Sequence, residues 1–418
     1  MTPTPADDTD HGRAAASRSD RGLIAFLAAL SGLSALGVDL ILPGLGDVRA
    51  NFDLPADATQ VSLVVTVYIF GMGLGQVFYG PVADRFGRRP TVLFGLALYA
   101  AAAVGSALAP SLFVMLCFRA AMGIGAASPR AMSLTIARDR FTGDAMTRVV
   151  SLVMMFFQLS PAVAPLLGQG LLAIGPWQLT FFFAAGIAGV AMVWALRVDE
   201  TLAPENRLPL TLRRTRTSAH AVFTSRWAFG HGLVLMFEFS AFYTYLSSSE
   251  LVFDDVFGRG DQFAYFFAAG ALFQAAGNLT ASRVVTRVGS VRFMGFVMVS
   301  YVVSAAALVA LTAGAGGVPA FWPWIALLWT VNTLHALVLV TANSLAMQPV
   351  AAFAGTGSGV IGTMSIMGGA ILASFVASTF EGTATPLAMA YLGFGVLAAA
   401  ALVWARGGSP APIGASRP

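Results

Sequence analysis

Two acidic side chains and one arginine lie within long apolar stretches of this chain. Asp39 is followed by Leu-Ile-Leu, Arg119 precedes the small residues Ala-Ala-Met-Gly, and Glu238 lies between two phenylalanines. A carboxyl group in such surroundings is costly to ionise, so it needs either a charged partner or a proton. The chemistry that these residue types suggest is reversible proton binding.

Asp39 and Arg119 are predicted to lie in the same half of a membrane. Asp39 comes four residues before Pro43, where the first apolar run ends, so it lies about 6 Å inside that edge of a helix. Arg119 lies about 12 Å into the fourth apolar run, measured from the same surface. The alternatives are an interfacial cap for Asp39 and an arginine that snorkels along lipid, although the small residues after Arg119 favour a packed helix face.

Further polar residues within apolar runs are candidates for a substrate cavity. Glu238 lies near the middle of the seventh run, Gln158 in the fifth, and Asn332 and His335 in the tenth. The alternative for the amides and the histidine is a hydrogen bond between helices. A carboxyl group at mid-membrane depth is usually functional, and we expect Glu238 to tune substrate choice.

The composition excludes most other classes of protein. Hydrophobic residues make up 57% of the chain and charged residues 11%, against roughly 25% charged residues in a soluble domain. The one cysteine, Cys117, rules out a disulfide framework or a cysteine zinc cluster. The chain has no lysine for a phosphate-binding loop and no hydrolase or metalloprotease motif. We predict a membrane protein that is not an enzyme and uses no cofactor or metal.

Apolar runs of about 20 residues, which cross the hydrocarbon core as helices, occur twelve times. Their approximate bounds are 22–43, 61–81, 90–110, 111–137, 149–173, 177–197, 227–249, 262–282, 292–313, 321–346, 357–380 and 385–405. The predicted fold class is therefore all-α integral membrane, with twelve transmembrane helices.

A polar gap divides the twelve spans into two sets of six. The predicted segments are a disordered tail, a six-helix half, a cytoplasmic loop, a second six-helix half and a second tail, at 1–20, 21–197, 198–226, 227–405 and 406–418. Four positions near the second span recur at a constant offset near the eighth, Gly75, Gln76, Arg85 and Gly87 matching Gly277, Asn278, Arg287 and Gly289. The recurrence predicts two pseudo-symmetric halves.

The arginines predict the orientation of the chain. With the N-terminus inside, nearly all of them fall in inner loops and tails, and Arg49 and Arg259 are the exceptions in the outer loops. This asymmetry places both termini in the cytoplasm. The isoelectric point near 9.6 therefore indicates contact with anionic lipid rather than with nucleic acid.

The turn between the second and third spans, G-P-V-A-D-R-F-G-R-R-P, carries a resemblance to a known family. It matches G-x-x-x-D-R-x-G-R-R, the signature of the major facilitator superfamily, at Gly80, Asp84, Arg85, Gly87, Arg88 and Arg89. The resemblance implies that this turn acts as an inner gate. We expect Asp84 to be its acidic member, with Arg138 or the N-terminus of the eleventh helix as partner.

The fifth span contains S-P-A-V-A-P-L-L-G-Q-G, which resembles the antiporter signature of exporters in this superfamily. The matching residues are Pro161, Pro165, Gly168 and Gly170, while Ala164 replaces the usual glycine. Prolines leave backbone carbonyls without their hydrogen bond and bend a helix, so groups on neighbouring helices must donate to these carbonyls instead. Arg119 to Gly125 resembles the proton-coupling signature R-x-x-x-G-x-G.

Taken together, the chain resembles the Bcr/CflA-type drug–proton antiporters. The resemblance implies export of small, cationic or amphipathic drug-like molecules in exchange for protons, with Asp39 and Arg119 as the coupling pair. It also implies a monomer in the bacterial plasma (inner) membrane. Glu238 departs from the usual pattern of that family. The alternative is a proton-coupled importer of a small metabolite on the same fold.

Overall fold

Helices make up most of the residues that the structure describes. The computed structural model describes residues 18–55, 59–141, 143–207, 212–349, 354–379 and 382–408. Its helices are α1 (Arg18–Asp39), α2 (Leu45–Asn51), α3 (Leu63–Phe86), α4 (Arg88–Ala107), α5 (Leu112–Arg140), α6 (Gly143–Leu172), α7 (Gln178–Ala195), α8 (Leu212–Thr224), α9 (Arg226–Leu251), α10 (Phe263–Val288), α11 (Ser290–Gly314), α12 (Phe321–Met347), α13 (Ala354–Ala377) and α14 (Thr385–Ala405). The predicted tails lie mostly outside the described residues.

Twelve of these helices have 18 or more residues and correspond one to one to the predicted spans. Among the described residues, nine helices are long and apolar enough to cross a membrane by length and composition. Helix ends differ from the prediction by a few residues; α5 continues to Arg140 and α6 begins at Gly143, because polar turns extend these helices beyond the apolar core. The predicted all-α membrane fold is confirmed.

Two helices were not predicted, because each is too short to appear in a search for apolar runs of membrane length. The seven-residue α2 follows the end of α1. The second, α8, lies in the segment 198–226 that was predicted as a loop, and it packs against α9 and α13. Its residues Ala221 and Val222 are buried in that contact. Part of the predicted central loop is therefore an amphipathic helix.

The long helices pack as two groups. In the first half α5 packs against α1, α3 and α4, while α1 packs against α6 and α4 against α7. In the second half α9 packs against α12, α13 and α14, while α11 packs against α12 and α14. The halves meet along α3 with α13 and along α6 with α10. The residue bounds predicted for the two halves stay a prediction.

The small residues after Arg119 let α5 approach its neighbours closely. A Cβ atom on Gly123 would collide with the carbonyl oxygen of Tyr68 in α3, and one on Gly125 with the backbone of Tyr99 in α4. Ser128 donates a hydrogen bond to the carbonyl oxygen of Thr91, also in α4, at 2.8 Å. Such close packing of small residues is typical of helix contacts inside membranes.

Candidate functional site

Arg119 lies inside the first half and is fully buried. Its Nε donates to the carbonyl oxygen of Val64 in α3 at 2.8 Å, and its Nη1 donates to the carbonyl oxygen of Gly37 in α1 at 3.0 Å. The guanidinium carbon lies 4.4 Å from the ring centre of Tyr68. The arginine therefore packs among α1, α3 and α5 rather than snorkelling along lipid.

The carbonyl of Gly37 is available to Arg119 because α1 ends two residues later, at Asp39. The last four carbonyls of an α-helix have no partner within the helix, so a buried helix end needs donors from elsewhere. One guanidinium nitrogen of Arg119 satisfies this carbonyl, while Nη2 has no hydrogen-bond partner among the described residues. Arg119 thus binds the end of α1 through Nη1, while its Nη2 makes no hydrogen bond to the described residues.

Asp39 is the last residue of α1, and its side chain is 2% exposed. Within the described parts of the chain, its Oδ1 has no hydrogen-bond partner and no arginine forms an ion pair with it. Such burial disagrees with an interfacial cap. Because an ionised carboxylate would need a partner in these surroundings, the arrangement fits a neutral, protonated carboxyl group.

Asp39 and Arg119, which the sequence predicts as a pair, therefore share one region without bonding to each other here. Their connection runs through the backbone, since Arg119 binds the carbonyl of Gly37 near the same helix end. A small cavity beside Arg119 is lined by Gly37, Leu40 and Ile41 of the α1 end, together with side chains of α5 and α7.

Two tyrosines complete this region and were missed by sequence reasoning. The hydroxyl groups of Tyr68 and Tyr99 both lie against Gly37, where a Cβ atom would collide with them. Tyr68 donates to the carbonyl oxygen of Ser34 at 2.9 Å, while the hydroxyl of Tyr99 has no partner among the described residues. Their polar hydroxyl groups within apolar runs could have indicated these two tyrosines, but the sequence does not show which helix face each one occupies.

The predicted antiporter residues all lie in α6, which runs without a break from Gly143 to Leu172. Pro165 is buried, Gly170 is exposed with open space beside it, and the side chain of Pro161 is outside the described ones. At Gly168 a Cβ atom would collide with the carbonyl oxygen of Leu40, the residue after Asp39. This glycine therefore lets α6 approach the candidate proton site.

Glu238 and His335 form a buried pair within the second half. The Nδ1 atom of His335 lies 2.7 Å from Oε2 of Glu238, and the two side chains are 2% and 0% exposed. The ring of Phe242 stacks on the imidazole at 5.6 Å between centres. Glu238 Oε1 and His335 Nε2 have no hydrogen-bond partner among the described residues. The sequence predicted both residues at similar depth but not their contact.

Asn332 belongs to the same buried cluster. Its Oδ1 accepts a hydrogen bond from the hydroxyl of Tyr391 in α14, and Tyr301 in α11 donates to the backbone oxygen of Tyr391 at 3.1 Å. Among the described residues, the side chains that bond to or stack on this cluster come from α9, α11, α12 and α14, so the cluster lies inside the second half. Glu238, Asn332 and His335 are buried within this half, and their predicted place at a substrate cavity stays a prediction. Gln158 lies in α6, with its side chain outside the described ones.

The predicted inner gate lies where α3 ends and α4 begins. Nη1 of Arg88 lies 3.1 Å from Oδ1 of Asp84, and Nε of Arg88 lies 2.9 Å from Oδ2 of Asp139 in α5. The structure thus pairs Asp84 with Arg88, while the predicted partner Arg138 is exposed, as is Arg85. The N-terminus of α13, the other predicted partner, adjoins residues 350–353, which are outside the described ones.

A residue beyond the motif organises this turn. Glu200 accepts hydrogen bonds from the backbone nitrogens of Arg88 at 2.9 Å and Arg89 at 3.1 Å, so its carboxylate caps the N-terminus of α4. Gly87 has a φ of +107°, which favours glycine, and a Cβ atom there would collide with the carboxylate of Glu200. Gly80, the first motif residue, has open space beside it. In the sequence, Glu200 begins the segment E-T-L-A-P-E after the sixth span, and this position was the available indication of its role.

Polar contacts between the halves lie at the end of the bundle that is predicted to face outside. Nη1 of Arg49, in α2, lies 3.6 Å from Oδ2 of Asp255, which follows α9. Gln169 in α6 donates to the backbone oxygen of Asp261, before α10, at 2.6 Å. Deeper in the bundle, Thr363 of α13 donates to the carbonyl oxygen of Gly73 in α3 at 3.1 Å. These contacts join the two halves of the bundle.

Two packed six-helix groups with titratable side chains buried in membrane-length helices are typical of secondary transporters. The sequence matches the Major Facilitator Superfamily over residues 25–374, so the chain belongs to that family. It is a multi-pass membrane transporter and not an enzyme. The resemblance read from the turn at Gly80–Arg89 is confirmed.

Two relatives and one solved structure describe the similarity further. The chain is 28% identical over 365 residues to a bicyclomycin resistance protein homolog of Haemophilus influenzae, covering 86% of this chain and 90% of the relative. It is 28% identical over 227 residues to the multidrug resistance protein MdtL of Escherichia coli, covering 54% of this chain and 57% of that protein. Its fold resembles the xylose transporter XylE of E. coli in a partially occluded inward-open conformation, with a TM-score of 0.72, 13% identity and coverage of 93% and 97%.

Proposed function

We propose that this transporter exports small, cationic or amphipathic drug-like molecules in exchange for protons. The observation that carries the proposal is the buried carboxyl group of Asp39, which has no partner within the described residues although Arg119 binds the same helix end. The names of the relatives, one a bicyclomycin resistance homolog and one a multidrug resistance protein, support drug-like substrates.

Asp39 and Arg119 would act as a proton switch. In the protonated state Asp39 is neutral and needs no partner, as in this arrangement. After losing its proton, the carboxylate would turn to the unsatisfied Nη2 of Arg119, so that ionisation leaves no bare charge in the membrane. A cationic compound arriving from inside would compete with Arg119 for this carboxylate. Binding of the compound would thereby couple to release of the proton.

The proposed setting is the bacterial plasma membrane, with both termini in the cytoplasm. The excess of arginine in the predicted inner loops supports this orientation. In it, the contacts of Arg49 and Gln169 close the outer end, so the substrate would enter from the cytoplasm. We further propose a monomer whose basic inner loops contact anionic lipids.

The test is transport into inverted membrane vesicles whose lumen is made acidic. A fluorescent lipophilic cation should accumulate in the lumen as protons leave it, and Asp39→Asn should abolish this uptake. Asp47→Asn, which removes an exposed carboxylate in the nearby α2, is the matched control and should transport normally. A proton-coupled importer would instead carry its substrate out of the lumen with the protons. Full gradient-driven uptake by Asp39→Asn would contradict the assignment of the proton to Asp39.

A further inference from the structure

We propose that Glu238 and His335 form a second proton-binding site, which exchanges a proton independently of Asp39. The pair joins α9 to α12 at 2.7 Å and is shielded from solvent. Glu238 is the thirteenth residue of the 26-residue α9, so it lies near the middle of the membrane, whereas Asp39 lies at the end of α1. This inference concerns a site in the other half of the transporter and holds for any transported compound.

Proton counting shows which states the pair can adopt. With one proton in addition to the N–H of the neutral imidazole, the pair is neutral overall, whether the carboxylate or the imidazole holds that proton. Loss of that proton leaves one negative charge, and gain of another leaves one positive charge. Burial disfavours both charged forms, so the neutral pair is the resting state. Exchange therefore requires a conformation in which water reaches the pair.

A purely structural role explains the pair poorly. A buried ion pair is often no more stabilising than well-packed apolar residues of similar size. Here each partner also keeps one polar atom without a hydrogen bond, Oε1 on Glu238 and Nε2 on His335. Each such buried atom costs about 1–3 kcal/mol. The two unsatisfied atoms are the positions where an incoming proton or water molecule would bind.

The surroundings contain few other groups that could take over this role. The other buried titratable groups of α9 are Tyr243, Tyr245, Glu250 and, two turns toward the predicted inner end, His231, whose Nδ1 contacts the carbonyl oxygen of Trp227. The elements packed against α9 contribute the phenols of Tyr301 from α11 and Tyr391 from α14, while Arg292 begins α11 and Arg406 follows α14 at the predicted inner end. Among the described residues, the ion-pair partner of Glu238 is His335.

The test is a pH titration of His335 by nuclear magnetic resonance on the full chain with ¹⁵N-labelled histidine. The chain has four histidines, and the signals lost in His335→Gln identify this ring. We expect the ¹⁵N shifts of both ring nitrogens of His335 to depend on pH. In Glu238→Gln, which can still hydrogen-bond to the ring, this pH dependence should change, because the variant removes the proton-binding carboxyl group.

Three outcomes would overturn the proposal. One is a His335 signal that does not depend on pH, as for a locked structural pair, and another is a pH dependence that Glu238→Gln leaves unchanged. The third is a titration that disappears in Asp39→Asn, since the two sites would then not be independent. If Glu238→Gln fails to fold, infrared difference spectra of the unaltered protein with and without ¹³C-labelled glutamate report the same carboxyl protonation. Neither measurement uses a substrate, so failure of the proposed drug export would not affect it.

Discussion

Nη1 of Arg119 donates a hydrogen bond to the carbonyl oxygen of Gly37, two residues before Asp39. An arginine on one helix thus completes the end of another, and the residue that it positions is the candidate proton carrier. The contact is to the backbone, so it does not itself require a charge on Asp39. Arg119 therefore combines a structural role with an electrostatic one, and its substitution should affect both.

Arg119→Lys should separate these two roles. Lysine keeps the positive charge but lacks the fork that reaches the carbonyls of Gly37 and Val64 together. A carbonyl that loses its donor costs about 1–3 kcal/mol, so we expect a lower melting temperature and at least about a tenfold loss of pH-driven transport. Arg140→Lys at the exposed end of α5 is the matched control. Unchanged stability in Arg119→Lys would show that the carbonyl contacts do not matter.

Asp84→Asn should preserve folding and slow transport. Arg88 would keep its bonds to Asp139 and to the carbonyl oxygen of Ala83, so the turn should remain formed. If Asp84 also closes the inner end in the outward-open state, the substitution should shift the resting population toward the inward-open state. Labelling of introduced cysteines from the cytoplasmic side measures this shift, after the exposed Cys117 is replaced. Labelling equal to that of the unaltered protein would argue against a gate at Asp84.

Glu200→Ala should destabilise the inner turn. The substitution removes the acceptor for the backbone nitrogens of Arg88 and Arg89, and loss of an N-terminal cap costs about 0.5–2 kcal/mol. Glu200→Gln retains an acceptor oxygen and should lose less. Thermal unfolding in detergent measures the difference, with Glu205→Ala, at an exposed site nearby, as the control. Equal melting temperatures for Glu200→Ala and the control would refute the capping role.

Arg49→Gln should open the predicted outer end slightly. Partly exposed ion pairs contribute about 0–1 kcal/mol, so the population open to the outside should rise by at most about fivefold. High salt should have a similar effect on the unaltered protein, because it screens the pair. Arg259→Gln, at the same end but bonded to Gln262 within its own half, is the control. A similar rise in both variants, measured by labelling from outside, would mean that general charge rather than this contact matters.

The sequence was sufficient to predict features that depend on local composition. The length of the apolar runs located twelve helices, and the sequence motif predicted the turn at Gly87. Burial of Asp39 and Arg119 also followed from their apolar neighbours. These predictions succeed because the hydrocarbon core excludes charges and unpaired backbone groups. Each spanning helix therefore appears in the sequence as a run of apolar residues.

The contacts of these residues could not be predicted, because they depend on how helices are rotated and where they end. The partners of Arg88 come from 51 and 112 residues away along the chain, at Asp139 and Glu200. Glu238 and His335 are 97 residues apart, and their meeting requires one particular face of α9 against one of α12. The similar predicted depth of Glu238 and His335 in the membrane made this contact possible but did not determine it. The short α2 and α8 were missed since neither has the length of a span.

Neighbouring residues of α6 touch opposite halves of the transporter. Gly168 rests on the backbone of Leu40, directly after Asp39, and Gln169 is bonded to the backbone of Asp261 before α10. If losing a proton draws Asp39 toward Arg119, the shifted end of α1 would press on Gly168. The adjacent Gln169 would then strain or break its bond to the other half. The contacts of Gly168 and Gln169 would then couple the charge on Asp39 to the contact between the two halves at the predicted outer end. A bulkier side chain at position 168 would block this movement. Normal gradient-driven transport by Gly168→Val would show that no such coupling operates.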